Sequence, residues 1–269
     1  MPRRSSVPVP IPFESNARTQ GSLILKNSPL ATENASVIDS LEAAGAVMPF
    51  QTTVPEFYLF PAASTRAWGT TRNPWNLDYS PGGSSAGSGA ALAGFATLAI
   101  GSDMGGSIRI PASQCSRYGY RPTFGRVASG EIPYSTSGPM ARRFDDLVHF
   151  QNAIVGPSDK IMAGIRPRLD FTLPVPGCLG MAPRRGLGRR HRVELWTANG
   201  FKFALTWPWN ILNRYPIVDV PLGVVEDRMP TGMQVIGQTF TDLDTFQLSY
   251  NWSRLRQPLF AAGRFPTFA

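Results

Sequence analysis

Apolar residues recur with two different periods along this chain, and the alternation between them sets out its elements. In "ENASVIDSLEAAGAV", Val37, Ile38, Leu41 and Ala44 fall three and four residues apart. That spacing predicts a helix, which Gly45 stops. "AVMPF" then reads as a short strand. Residues 51–83 have no period and carry Phe57, Tyr58, Phe60, Trp68, Trp75 and Tyr79, the pattern of a long loop packed onto a core. From Ser85 to Leu98 the residues are nearly all Ser, Gly and Ala, with Leu92 and Phe95. This predicts a buried helix whose neighbours approach closely. "LAIGSD" reads as a strand that enters a glycine turn, "MGGS". "SIRIPASQC" starts a second helix, which Pro111 opens or limits. "RYGYRPTFGRV" is a strand followed by a turn. "FDDLVHFQNAIVG" is an amphipathic helix with Leu147, Phe150 and Ile154 on one side. "YPIVDVPLG" and "TGMQVIG" read as buried strands, and "TDLDTFQLSYNWSRL" as a closing helix. Strands alternating with helices imply an α/β core.

Two stretches break this texture. Residues 1–20 are rich in Pro and Ser without periodicity. In residues 171–200, Arg184, Arg185, Arg189, Arg190 and Arg192 cluster with no acid between Asp170 and Glu194. Such a run reads either as a nucleic-acid-binding arm or as a solvated loop. No aromatic residue is interleaved in the cluster, which favours the loop, and no specific nucleic-acid partner is expected.

Composition narrows the picture without changing it. A chain of 269 residues with 42% hydrophobic and 16% charged residues is globular, not disordered. One domain over 1–269 is expected, with roughly 160–205 divergent in texture. The formal charge is +8, yet only Lys26, Lys160 and Lys202 are lysines. That imbalance points to an arginine-favouring genome more than to a nucleic-acid surface. Cys115 and Cys178 do not make a disulfide framework, and with His149 and His191 they lack metal-ligand spacing. Cys115 and His149 read as packing or surface residues. A reducing cytoplasm is the simplest compartment. The N-terminus lacks the apolar core of a signal peptide, and the longest apolar run, Ala90–Ile100, is too short to span a membrane.

The candidate chemistry lies in two glycine–serine turns, "GGSSAGSG" and "GSDMGGSIRIP". Neither is a phosphate-binding loop, because no Gly-Lys-Ser/Thr tail follows. "GSSAG" (Gly83–Gly87) fits G-x-S-x-G, which would make Ser85 a nucleophile with Asp145 or Asp146 and His191. No buried strand leads into it, so this stays a weak alternative. Read together, the turns place two hydroxyls at one end of a sheet, joined by a small-residue helix. Glycines let the backbone come close to a substrate. Successive N–H groups of Met104, Gly105, Gly106 and Ser107 could cradle an oxyanion. Ser107 would also begin a helix whose N-terminal dipole favours negative charge.

The block from Asn73 to Val127, "NPWNLDYSPGGSSAGSGAALAGFATLAIGSDMGGSIRIPASQCSRYGYRPTFGRV", resembles the amidase signature family. The likeness continues through "SGPMARRFDDL", and more weakly through "GSLILKNSPLATENASVIDSLEAAGAV" and "YPIVDVPLG...MPTGMQVIG". The resemblance implies an α/β fold with a mixed sheet core flanked by helices, here incomplete. It implies a serine hydrolase that cleaves a small-molecule carboxamide to acid and amine through an acyl-enzyme, with no metal or organic cofactor. The family uses a Ser–Ser–Lys triad. On this chain the nucleophile is Ser107, and the bridging serine, preceded by a cis peptide bond, is Ser84. Ser85, Asp103 and Arg109 take supporting positions, and the oxyanion donors are Met104 to Ser107.

One member of the triad is missing. Counting back from Gly21–Ser22 to where the family places its lysine lands on Pro8, in "VPVPIPFESNARTQGS". Arginine cannot replace it, since it stays protonated. A truncated or internally deleted amidase is therefore expected, active or reduced to a pseudoenzyme that binds an amide or a protein partner. Neither the substrate nor the oligomeric state is readable.

Overall fold

Alternation along each strand decides which residues meet in this chain. The computed structural model describes residues 19–130, 132–165, 167–172, 206–212, 214–225, 229–261 and 263–266. Helix α1 (Ser36–Ala43) buries Val37, Ile38 and Leu41, as their spacing predicts. Gly45 (φ +80°) ends it: its N–H donates to Glu42 O and that of Ala46 to Leu41 O, closing the last carbonyls. "AVMPF" makes no strand. Pro49 removes a ladder donor there, and only Val47 takes part in a bridge. The aromatic loop holds one tight turn at Glu56–Tyr58 and a two-residue ladder, β1 (Ser64–Thr65) against β2 (Gly69–Thr70).

Helix α2 (Ala86–Gly94) stops four residues short of the expected Leu98. Its last carbonyls are taken by two guanidinium groups. Leu92 O accepts from Nε of Arg117 (2.9 Å) and of Arg142 (2.8 Å), and Ala93 O from Arg117 Nη2 (3.4 Å). Cations at a helix C-terminus also suit its dipole. Strand β3 (Leu98–Asp103), helix α3 (Arg109–Gln114), β4 (Tyr118–Arg121), β5 (Thr136–Ala141) and α4 (Phe144–Ile154) follow. After residue 205 come α5 (Trp207–Leu212), β6 (Ile217–Val224), β7 (Pro230–Ile236) and α6 (Asp242–Leu255). Pro111 is the third residue of α3, in the first turn, where its missing N–H costs nothing.

The sheet order is β3-β5-β4-β6-β7. The chain is α/β with a sheet flanked by helices. Strand direction differs from the mixed sheet expected: all four pairings are antiparallel among the described residues. The connection from β3 through α3 to β4 returns in the same direction, but β5 inserts between the two strands. The parallel pair is thereby split.

Period 2 then sorts side chains between two faces. On one face Tyr118, Tyr120, Val218, Val220, Met233 and Val235 pack against Phe144, Leu147 and Val148 of α4 and Phe246 and Tyr250 of α6. On the other, Ala99 and Met140 pack with Leu92 of α2 and Ile108 and Ala112 beside and within α3. This second face is built from small residues, so the helices sit close. A Cβ on Gly119 would lie 2.7 Å from Ala112 Cβ. Asp103, Arg121, Asp219 and Gln234 share the register of that face, and all but Gln234 are fully buried. Among the described residues no helix is long and apolar enough to cross a membrane.

Candidate active site

The two glycine–serine turns meet. Ser85 N–H donates to Ser107 O at 3.4 Å, which sets the start of α2 beside the turn after β3. The Gly83–Ser84 peptide is cis, and Ser84 is buried. The approach to this turn is fixed from below. Asn73 Nδ2 donates to Ser80 O (3.3 Å) and Gln114 O (2.8 Å), and Trp75 Nε1 to Cys115 O (3.0 Å). Residues 73–81 are thereby tied to the C-terminal end of α3. The Cys115 thiol donates to Pro81 O at 3.6 Å. Burial pushes that thiol up to about 12, partly offset by Arg117, so Cys115 is an inert packing group.

The Ser85 side chain packs against the neighbouring strand. Its hydroxyl is buried against β3, donating to Ser102 O (3.4 Å) and accepting from Ser102 N–H (3.3 Å). His191, the base that the G-x-S-x-G reading needs, lies outside the described residues. His149 sits exposed on α4.

Asp103 ends β3 and organises the turn that follows. Its Oδ1 accepts from Gly106 N–H (2.8 Å) and its Oδ2 from Ile108 N–H (3.2 Å). Arg109 clasps it with Nε on Oδ2 and Nη2 on Oδ1, both at 2.9 Å. Arg121 stands 3.7 Å from Oδ1. Burial alone would raise the carboxyl. The charge and hydrogen bonds of Arg109 outweigh it, with help from Arg121 and Asn210, and hold Asp103 well below the usual carboxylate range. Arg121, whose own burial brings it down to about 10, stays protonated at neutral pH.

Arg109 has five N–H donors, and all five are engaged. Besides the two on Asp103, Nη1 reaches Thr206 O (3.2 Å) and Gln234 Oε1 (2.7 Å), and Nη2 reaches Asn210 Oδ1 (2.5 Å). Asn210 also donates Nδ2 to Asp103 Oδ1 (2.9 Å) and Asp103 O (3.2 Å). Thr206, Asn210 and Gln234 join this network, and none of them is among the residues the sequence singled out.

The expected oxyanion donors divide. Gly106 N–H is committed to Asp103, so Gly106 supports the turn and does not face outward. Its φ of +118° is a conformation L side chains rarely adopt. No hydrogen bond among the described residues takes up the N–H of Met104, Gly105 or Ser107. Ser107 does not begin a helix. It sits in the turn, and α3 opens at Arg109, with Ile108 as its cap. The dipole of so short a helix adds little to the peptide N–H groups themselves.

Comparison with known proteins decides the family. The family described as Amidase matches residues 13–172, more than half of the chain. The chain belongs to the amidase family. Among relatives of this amidase-family chain, a glutamyl-tRNA(Gln) amidotransferase subunit of Saccharolobus solfataricus is 44% identical over 146 residues, 52% of this chain and 30% of that protein. A putative amidase, AmiB2, of Mycobacterium bovis is 37% identical over 188 residues, 62% of this chain and 41% of that protein. The chain thus spans about a third of the length of the curated relatives it matches. The solved structure of the corresponding glutamyl-tRNA(Gln) amidotransferase subunit from Thermotoga maritima shares the fold, with a TM-score of 0.77 over 97% of this chain and 85% of that one at 21% identity.

For this amidase-family chain Pro8, where the resemblance places the lysine, lies outside the described residues, as do Lys202 and the arginine cluster. The two described lysines are engaged elsewhere. Lys26 Nζ stands 5.1 Å over the Trp68 ring, and exposed Lys160 pairs with Asp39 at 2.8 Å. That hydrogen bond raises Lys160 above its ordinary value, the opposite of what a base needs.

Asp219 is the odd group of the network. It is fully buried on β6, and its Oδ2 has no hydrogen-bond partner. The absence of a side chain on Gly232 leaves the room it fills. Burial pushes its carboxyl well above the usual range; Arg109 offsets part of this and Asp103 adds to it. Asp219 therefore keeps its proton to a higher pH than an ordinary carboxyl. The folded chain holds a proton that the unfolded chain releases, so this group costs stability as pH rises from about 4, the unfolded value, towards the raised folded one. Asp219→Asn is expected to be more stable than the parent by about 1–2 kcal/mol near pH ~8, the difference vanishing near pH ~4. Urea unfolding at the two pH values checks this, and equal pH slopes for both proteins would contradict it.

Proposed function

We propose that the chain is a serine hydrolase of the amidase type, acting on a small carboxamide with Ser107 as nucleophile. The observation that carries this reading is the turn between Asp103 and Arg109. A buried ion pair fixes it, no hydrogen bond among the described residues takes up Gly105 or Ser107 N–H, and the Ser85 N–H on Ser107 O brings the turn that carries Ser84 alongside. Ser107 Oγ would attack the carbonyl carbon as Ser84 Oγ takes its proton and passes its own to a general base, whose place lies outside the described residues. The N–H groups of Gly105 and Ser107, with Met104 beside them, would stabilise the developing oxyanion. Collapse breaks the C–N bond, the proton returns along the same chain to the leaving amine, and water hydrolyses the Ser107 ester to the acid. Ser85, Asp103 and Arg109 hold the frame. The scheme invokes neither metal nor organic cofactor.

The Lys26 and Lys160 contacts favour a second reading, a carboxamide-binding protein without turnover. Without a base, an oxyanion hole and binding still leave roughly 10³–10⁴-fold over water in a serine hydrolase. A fluorophosphonate probe separates the two. Labelling of Ser107 that disappears in Ser107→Ala supports the hydrolase. An unlabelled but folded protein that binds carboxamides by calorimetry supports the binder.

A further inference from the structure

The peptide group between Gly105 and Gly106 is pinned at both poles. Its N–H donates to Asp103 Oδ1, and its C=O accepts from the Thr206 hydroxyl. The two partners lie three and about a hundred residues away along the chain. A peptide is a rigid plane. Fixing both poles therefore fixes the Cα atoms it joins, and leaves the flanking Gly105 and Ser107 N–H groups only the rotations φ and ψ at Gly105 and at Gly106. Thr206 is buried, and its own carbonyl is bound by Arg109 Nη1. Four residues on, Asn210 holds Arg109 and Asp103 together. Residues 206–210 thus grip the turn at its peptide and at the ion pair beneath it, from a segment outside the glycine–serine block.

We propose that Thr206 is a positioning residue for the oxyanion donors, acting through the Gly105 carbonyl, with Asn210 as its support. The proposal rests on the hydrolase reading for its effect on chemistry, but not for its effect on the turn. Preorganised donors lower a barrier because they need no reorientation during reaction. A hydroxyl that holds the donor turn should therefore affect acylation more than stability.

The test uses the full chain with Thr206→Val, which removes the hydroxyl at similar size, and Thr206→Ser, which restores it. Three quantities are read: the melting temperature, the rate constant of fluorophosphonate labelling at Ser107, and deuterium exchange of the segment 104–107. Thr206→Val is expected to label at least ten-fold more slowly and to exchange faster at 104–107, while Thr206→Ser stays within about two-fold of the parent. A folded Thr206→Val that labels within two-fold of the parent overturns the proposal, as does a Thr206→Ser as slow as the valine variant. If the parent itself is not labelled, the hydrolase reading fails separately. Exchange at 104–107 then decides: faster in Thr206→Val alone supports positioning, and no change overturns it. Should Thr206→Val not fold, Thr206→Ala takes its place in the same comparisons.

Discussion

Arg109→Ala is expected to destabilise the chain by about 3–5 kcal/mol, measured as a shift of the urea midpoint at unchanged slope. The cost comes from what the arginine leaves behind. Asp103 would remain buried and ionised with Arg121 at 3.7 Å as its nearest cation. Thr206 O, Asn210 Oδ1 and Gln234 Oε1 would each lose a donor inside the protein. A hydrophobic replacement of the whole network is a different matter, since buried ion pairs often do no better than well-packed apolar groups. The prediction concerns breaking the pair. A loss below about 1 kcal/mol would mean that water reaches the carboxylate and screens it. Acid should act on the same network. Asp103 has a depressed folded value, so its contribution is complete above about pH 4 and is lost as pH falls further.

Phe246→Ala should cost about as much, 3–5 kcal/mol at roughly the usual scale for a buried aromatic, for an unrelated reason. Its ring is the hub of the other sheet face. Ring centres of Tyr120, Phe171 and Phe144 lie 4.4, 4.7 and 5.6 Å from it, in edge or tilted arrangements. Three aromatic side chains, on β4, on α4 and in the loop at Phe171, cannot all move inward to fill the space that Phe246 leaves. Phe246→Leu, which retains most of the volume, should lose less than half as much. Comparable losses for the two variants would show that ring geometry matters more than the cavity. This cluster lies across the sheet from the site, so fluorophosphonate labelling of the folded Phe246→Leu variant should match the parent.

Much of this architecture was legible in the chain because short-range patterns carry it. The spacing of Leu147, Phe150 and Ile154 states one face of α4, and each is buried. β3, β6 and β7 lie where the mainly apolar runs place them. Ser84, Ser85, Asp103 and Arg109 were legible because one contiguous block holds them. The α2 boundary was not, since two arginines, one just before β4 and one just after β5, cap its carbonyls, a contact that no local spacing encodes. Thr206 and Asn210 were hidden for the same reason: "TWPWN" has no pattern of its own, and its meaning is tertiary. Asp219 and Gln234 did leave a trace. Each is a lone polar residue in an apolar strand, "IVDVP" and "GMQVI", and they face each other across β6 and β7. A polar group that interrupts a buried strand needs a partner, and asking what that partner was would have led to Arg109. The commitment of Gly106 N–H could not be read at all, because it depends on how the Asp103 carboxylate folds back by three residues.

The ties on Arg109 reach across 125 residues to Gln234 and 101 to Asn210. During synthesis at about 5–20 residues per second, the arginine therefore leaves the ribosome roughly 6–25 s before its last partner does. For most of that interval the five donors of Arg109 have only Asp103 and water, and the turn has no second wall. A nascent chain halted before residue 206 would carry the whole glycine–serine block and still lack the groups that give it shape. The serines come early in translation, but the site is assembled only when the C-terminal strands arrive.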